Sequence, residues 1–150
     1  SEGCTQNGSQ MTQKFVTKNI KPDGNYLFRA ISYLLTGNEE WESQVRQAIC
    51  DRIEQSTPSD VIGKYILPLT GGEYLTQKEM RRDAKWGTDV EILTAGQILK
   101  CDIFVCTHHR AQWQRFPFKS TEEEKTKQKG ALYLENSTSY HYNAVLGFKK

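Results

Sequence analysis

No stretch of this chain stays apolar long enough to cross a bilayer, and its opening residues, SEGCTQNGSQ, carry neither the basic start nor the apolar core of a secretion signal. The expectation is an intracellular protein, cytoplasmic or nuclear, with no membrane partner. Basic clustering is missing too. Lys and Arg number 20 against 18 Asp and Glu, a formal charge of +2, whereas a nucleic-acid face needs clustered cations and a stronger positive balance. No nucleic-acid partner is expected. Cysteine is sparse: Cys4, Cys50, Cys101 and Cys106 lack the dense, regular spacing of a disulfide-stapled secreted module, which predicts a reducing compartment. The run CTHHR at 106–110 sets a thiol beside two imidazoles, but no fourth ligand stands at zinc-site spacing, so neither metal nor cofactor is expected. The glycosylation triplet NST at 136–138 is discounted for want of secretory context, and there is no internal repeat.

What remains is the composition of one globular domain. Its 150 residues are 37% hydrophobic, 25% charged and 11% aromatic, enough to bury a core and fold alone. Residues 1–12 are polar and aperiodic, predicting a flexible lead-in to a single domain over 13–150. Leu27, Ile31, Leu34 and Leu35 share a helical face over 26–36, with Gly37 at the left-handed C-cap position. Asn38 is placed to cap a second helix running through Ile53. A short helical piece follows Pro58 and Ser59 and stops at Pro68, and TGG at 70–72 reads as flexible. Thr76–Glu79 and Thr88–Glu91 both have the spacing of capping boxes. CDIFVC, WQRF, ALYLE and YHYNAVLGF read as strands, with the charged 119–130 run as a long hairpin loop. Helices first and strands last predict an α/β (α+β) fold around a small central sheet packed between helices.

Three motifs then stand in order: PDGNYLFRAISYLLTG from Pro22, WGTDVEILTAGQILKCDIFV from Trp86, and HYNAV from His141. Together they resemble the successive signatures of the ovarian tumour (OTU) family of cysteine proteases, which remove ubiquitin, over about residues 15–148. In that family the first motif reads Asp-Gly-Asn/Ser-Cys-Leu-Phe-Arg and the last His-x-Asp/Asn. The resemblance implies a papain-like fold, ubiquitin or a ubiquitin-like protein as partner, and no cofactor. It assigns Asp23 and Gly24 to the oxyanion turn, His141 to the general base and Asn143 to the residue that orients it. At the nucleophile position it meets Tyr26, where the family has cysteine.

That departure has a chemical meaning. A thiol at a helix N-terminus beside an imidazole drops from a pKa of about 8.5 to between roughly 3.5 and 7.5 and is a thiolate at neutral pH. A phenol starts near pKa 10 and carries its oxygen on the order of 4 Å beyond the position of a cysteine sulfur. Tyr26 therefore reads as an aromatic plug. His141 and Asn143, two apart in a strand, share a face, so the amide oxygen is expected to accept the imidazole N–H. Amides around Asp23, Gly24 and Asn25 fit an anion-binding nest, although an ordinary Pro-Asp-Gly turn ending in an Asn25 N-cap accounts for the tetrad equally well. The four cysteines are expected to be structural or incidental, and Trp86 to be core. The leading functional expectation is an OTU fold that does not hydrolyse and survives as a ubiquitin-binding or interaction module. The runner-up is a nucleophile-substituted copy of an active deubiquitinase, and the third reading is an inert domain.

Overall fold

A computed structural model of the chain describes residues 3–5, 12–108, 112–118, 130–137 and 141–149. The elements run β1 (Gly3–Thr5), β2 (Thr12–Lys18), α1 (Tyr26–Thr36), a 3-10 turn (Glu39–Trp41), α2 (Glu42–Glu54), α3 (Val61–Ile66), α4 (Gly71–Lys78), α5 (Asp89–Leu99), β3 (Asp102–Thr107), β4 (Gln112–Phe116), β5 (Ala131–Asn136) and β6 (Tyr142–Phe148). The mixed α+β class is as expected.

Most helix limits follow their sequence signals. α1 ends at Gly37, whose φ of 78° lets its amide return to the Tyr33 carbonyl at 2.8 Å. Asn38 caps as expected, its Oδ1 accepting the Glu40 N–H at 2.7 Å, but a 3-10 turn intervenes before α2. At Thr88 the capping box forms, and the Glu91 carboxylate that closes it is fully buried, accepting also from the Tyr74 hydroxyl at 2.8 Å. Burial raises the Glu91 carboxyl above its usual range.

The other predicted box is a correction. Thr76 and Glu79 lie at the C-terminal end of α4, where Glu79 takes a left-handed φ of 52°. The same Thr-x-x-Glu spacing occurs earlier as Thr70–Glu73, within the segment expected to be flexible, and there both box bonds are made. Gly71 sits so close beneath the end of α2 that a Cβ would collide with the Ile53 carbonyl oxygen, whereas Gly72 faces open space. Glycine is needed at 71 for close approach, not for flexibility.

The strands form one sheet in the order β1-β2-β6-β5-β3-β4, closed into a barrel by a single parallel pair, Thr5↔Gln112. Because β3 lies between β4 and β5, antiparallel to one and parallel to the other, β4 and β5 do not make the expected hairpin. Residues 119–129 of their connection lie outside the described residues. Strand alternation sorts side chains into two cores. Ile103, Val105, Leu134, Tyr142 and Ala144 pack with Leu27, Phe28, Ile31, Ile49, Ile53 and Ile92 of the helices. The opposite face closes on strand residues alone, Cys4, Phe15, Cys106 and Val145 with Trp113 and Tyr133 against them. Among the described residues the helices thus cover one face, and curling of the sheet covers the other.

Two expectations about the N-terminal region change here. Gly3–Thr5, expected in the lead-in, pair with Lys14, Gln13 and Thr12 of β2. Cys4 and Cys106 are joined in a disulfide, with Cα atoms 5.9 Å apart, although cysteine spacing had suggested reduced thiols. One long-range bridge leaves no local pattern to read. Cys50 and Cys101 are free and buried.

Gly71→Ala is expected to destabilise the protein by about 1 to 3 kcal/mol through overpacking against α2, while Gly72→Ala is neutral or stabilising by up to about 1 kcal/mol. Urea unfolding of the two variants separates them; equal effects would refute the close-approach account.

Candidate active site

The turn before α1 is built by its own polar groups. Arg29, one turn into the helix, reaches back so that Nη2 meets Asp23 Oδ2 at 2.6 Å and Nε meets both carboxylate oxygens at 3.0 and 2.9 Å. The Asn25 N–H donates to Asp23 Oδ1 at 3.1 Å. The Arg29 guanidinium, aided by that amide, holds the Asp23 carboxyl below its usual range against the opposing effect of burial. Gly24 between them has φ 87°, and a Cβ there would come within 2.7 Å of the Ala84 carbonyl oxygen. Only glycine satisfies both the left-handed backbone and the contact.

Asn25 is buried and does not cap α1. Its Oδ1 accepts from Arg46 Nη2 at 2.7 Å and from the Ala84 N–H at 2.9 Å, and its Nδ2 donates to Asp83 Oδ1 at 3.1 Å. α1 therefore starts with no side-chain cap and no acidic residue in its first turn, so its positive end stays open at Tyr26. Two of the three amides expected in a nest are used inside the turn, that of Asp23 by the Lys21 carbonyl at 3.1 Å and that of Asn25 by Asp23.

Tyr26 is the first residue of α1, and His141 immediately precedes β6. Their rings meet with centroids 4.4 Å apart and planes inclined by 30°. The phenol thus lies over the face of the imidazole, whereas the ring nitrogens direct their hydrogen bonds along its edge.

Asn143, two residues on, makes different bonds from the one expected of it. Its Oδ1 accepts the buried Ile20 N–H at 3.0 Å and its Nδ2 donates to Glu135 Oε1 at 3.1 Å. Glu135 Oε2 in turn bonds His108 Nε2 at 2.8 Å. Period two explains the direction: Asn143 shares a face with Val145, the barrel interior, where Glu135 is its register partner. So Tyr26 and His141 meet at the junction of α1 and β6, with Asp23 and Gly24 in the turn just before α1, while Asn143 ties β6 to the segment before α1.

Sequence reasoning missed Asn25, Arg46, Glu135 and His108 in these roles. An arginine on an amphipathic helix normally reads as its solvated face, and only the even spacing of Glu135 from Tyr133 hinted at an inward carboxylate. Trp86, expected in the core, is 46% exposed. In the CTHHR run, Cys106 is bridged and His108 is bonded to Glu135.

A family model described as OTU-like cysteine protease matches residues 21–144. The chain belongs to that family. Its fold is similar to that of the OTUD1 OTU domain, with TM-score 0.69 at 23% identity over 87% of this chain and 84% of the other. It is also similar to the viral OTU domain protease from Qalyub virus, with TM-score 0.67 at 20% identity over 89% and 84%. The Hazara virus OTU, solved bound to ubiquitin, gives TM-score 0.59 at 18% identity over 95% and 94%. No curated protein matches the chain in sequence. Within this OTU fold, the two free thiols are poor nucleophiles: burial pushes Cys50 up to about 11 and raises Cys101 as well.

The depressed Asp23 carboxyl makes an acid-sensitive contribution to stability. A lowered folded pKa gives stabilisation that is full above the unfolded value of about 3.9 and is lost as pH falls through the folded value. Asp23→Asn should lower stability at pH 7 by about 1 to 2 kcal/mol and flatten the stability profile below about pH 4. Urea titrations across this range test it; an unchanged acid limb would refute the assignment.

Proposed function

We propose that this chain is an OTU-fold domain that binds ubiquitin or a ubiquitin-like protein and does not hydrolyse its conjugates. The observation that carries the reading is Tyr26, at the first residue of α1 with its ring on the His141 imidazole, where the family motif has its cysteine. A phenol in that pose supplies neither a thiolate nor a sulfur at the attacking position. Residues 13–150 are read as one such domain, with β1 attached to it through the disulfide. The reading keeps a cytoplasmic or nuclear setting, in which the Cys4–Cys106 bridge would be open to reduction. Support for the partner comes from fold relatives: an OTU domain and the Hazara virus OTU are each solved with ubiquitin.

Asp23 and Gly24 form the turn that would face an oxyanion, and His141 stands at the position of the base. Asn143 sets His141 by anchoring the start of β6 through Ile20 and Glu135. These features favour a second reading, a nucleophile-substituted copy of an active deubiquitinase, because the turn and the open helix end persist.

The test combines binding and rescue. Labelled protein titrated with ubiquitin to about 1 mM, where an association of about 4 kcal/mol is half formed, should show localised NMR shifts but no turnover of ubiquitin chains. A thiol-reactive ubiquitin probe should leave the chain unlabelled. Tyr26→Cys should label at the new thiol and regain hydrolysis in part, with His141→Ala slowing it about 100-fold or more. Absence of shifts would refute the binding reading; hydrolysis by the unaltered chain, abolished by Tyr26→Phe, would refute inactivity. A folded Tyr26→Cys protein that neither labels nor hydrolyses would remove the substituted-enzyme reading.

A further inference from the structure

We propose that the Cys4–Cys106 disulfide is a reversible redox modification site that closes the barrel seam, and that its reduction loosens the strand next to His141. The inference concerns the fold and does not depend on the ubiquitin reading. β1 has three residues, three register pairs with β2 and one with β4, Thr5↔Gln112. So short a strand has little cooperative stability of its own. The covalent bond, joining positions 102 residues apart, is therefore the principal fastening of the seam. Both cysteines are buried, Cys4 at 0% and Cys106 at 1% exposure, within the strand-lined core of Phe15 and Val145.

The bridge also adjoins the network that holds β6. Cys106 is the register partner of Trp113 on one side and Glu135 on the other, and Glu135 is the partner of Asn143. Bridge, carboxylate and amide thus lie in one lateral row across β3, β5 and β6. Two residues beyond Cys106, His108 bonds the Glu135 oxygen that Asn143 leaves free for it. Freeing Cys106 leaves it held by its pairs with β4 and β5 alone, which removes the covalent restraint on the end of β3 from which His108 holds Glu135.

The chemistry needs a dithiol reductant. One of its thiolates attacks a bridge sulfur to form a mixed disulfide, and its second thiol displaces that link. Cys4 and Cys106 gain two electrons and two protons as thiols, and the reductant leaves as its own disulfide. Burial means that the seam must open before attack, so the protein reacts slowly and in proportion to that opening.

The experiment uses the whole chain, oxidised and then treated with dithiothreitol. Alkylation under denaturing conditions should find two free thiols before reduction, Cys50 and Cys101, and four after. Hydrogen exchange should accelerate about tenfold or more in β2, β4 and β6 on reduction, with α2 and α5 unchanged. Cys4→Ser should show the reduced pattern without reductant and should not respond to it further. Four alkylated thiols in air-oxidised protein would overturn the proposal, as would acceleration confined to residues 3–5. Acceleration throughout the helices would also overturn it, since the bond would then be a general staple rather than a local fastening. Should Cys4→Ser fail to fold, reduction of the unaltered chain decides by the same criteria.

Discussion

The hydrogen bond from Arg46 to Asn25 holds the site together, because it ties three separate segments at one buried point. Arg46 is 2% exposed; its guanidinium lies 4.1 Å above the Phe28 ring, donates to the Met80 carbonyl at 2.9 Å and reaches Asn25 at 2.7 Å. Burial pulls its pKa down, opposed by surrounding carboxylates, among them Asp83 and Glu91. A buried charge of this kind is tolerated only where its donors are satisfied. α2, the start of α1 and the segment 80–84 must therefore keep their relative positions. Once Asn25 is committed to Arg46 and Ala84, it cannot cap α1, and the uncapped helix end at Tyr26 follows.

The two cores explain why that end faces β6. Helix residues and one sheet face fuse into a single apolar body, and Tyr142 and Ala144 carry β6 into it beneath α1. The alternate residue of the same strand, Asn143, points instead into the barrel, where Glu135 and the Ile20 amide take up its polar atoms. A one-residue slip of β6 would exchange these environments, burying the amide among isoleucines. The polar row and the apolar body thus enforce one register, while His141, just before the strand begins, turns its ring onto Tyr26.

Much of this was legible in advance, and the limits of legibility are physical. α1 could be bounded because Gly37 and the apolar spacing of its face are local signals. The α5 start was legible because Thr88 and Glu91 act within one turn. Thr70 was missed because glycine at 71 and 72 suggested flexibility, whereas the reason for Gly71 lies in the Ile53 carbonyl, distant in sequence. Motif order set Tyr26 and His141 side by side as candidates, and their rings are in contact, yet the partners of Asn143 depended on register, which no motif encodes. The disulfide and the closure of the sheet around it are long-range facts of the same kind. Trp86 was misjudged for a simpler reason, since large aromatics are common at half-exposed positions as well as inside.

Tyr26 unites the loss of one property with the gain of another. An uncapped helix start forgoes about 1 kcal/mol of capping stability, a sacrifice that makes chemical sense where a developing anion is to be held by the free amides. With cysteine there, the open end would also favour a thiolate. With tyrosine, the same opening is covered by a ring that packs on the helical core and on His141. Tyr26 thus supplies a ring contact between α1 and the residue just before β6.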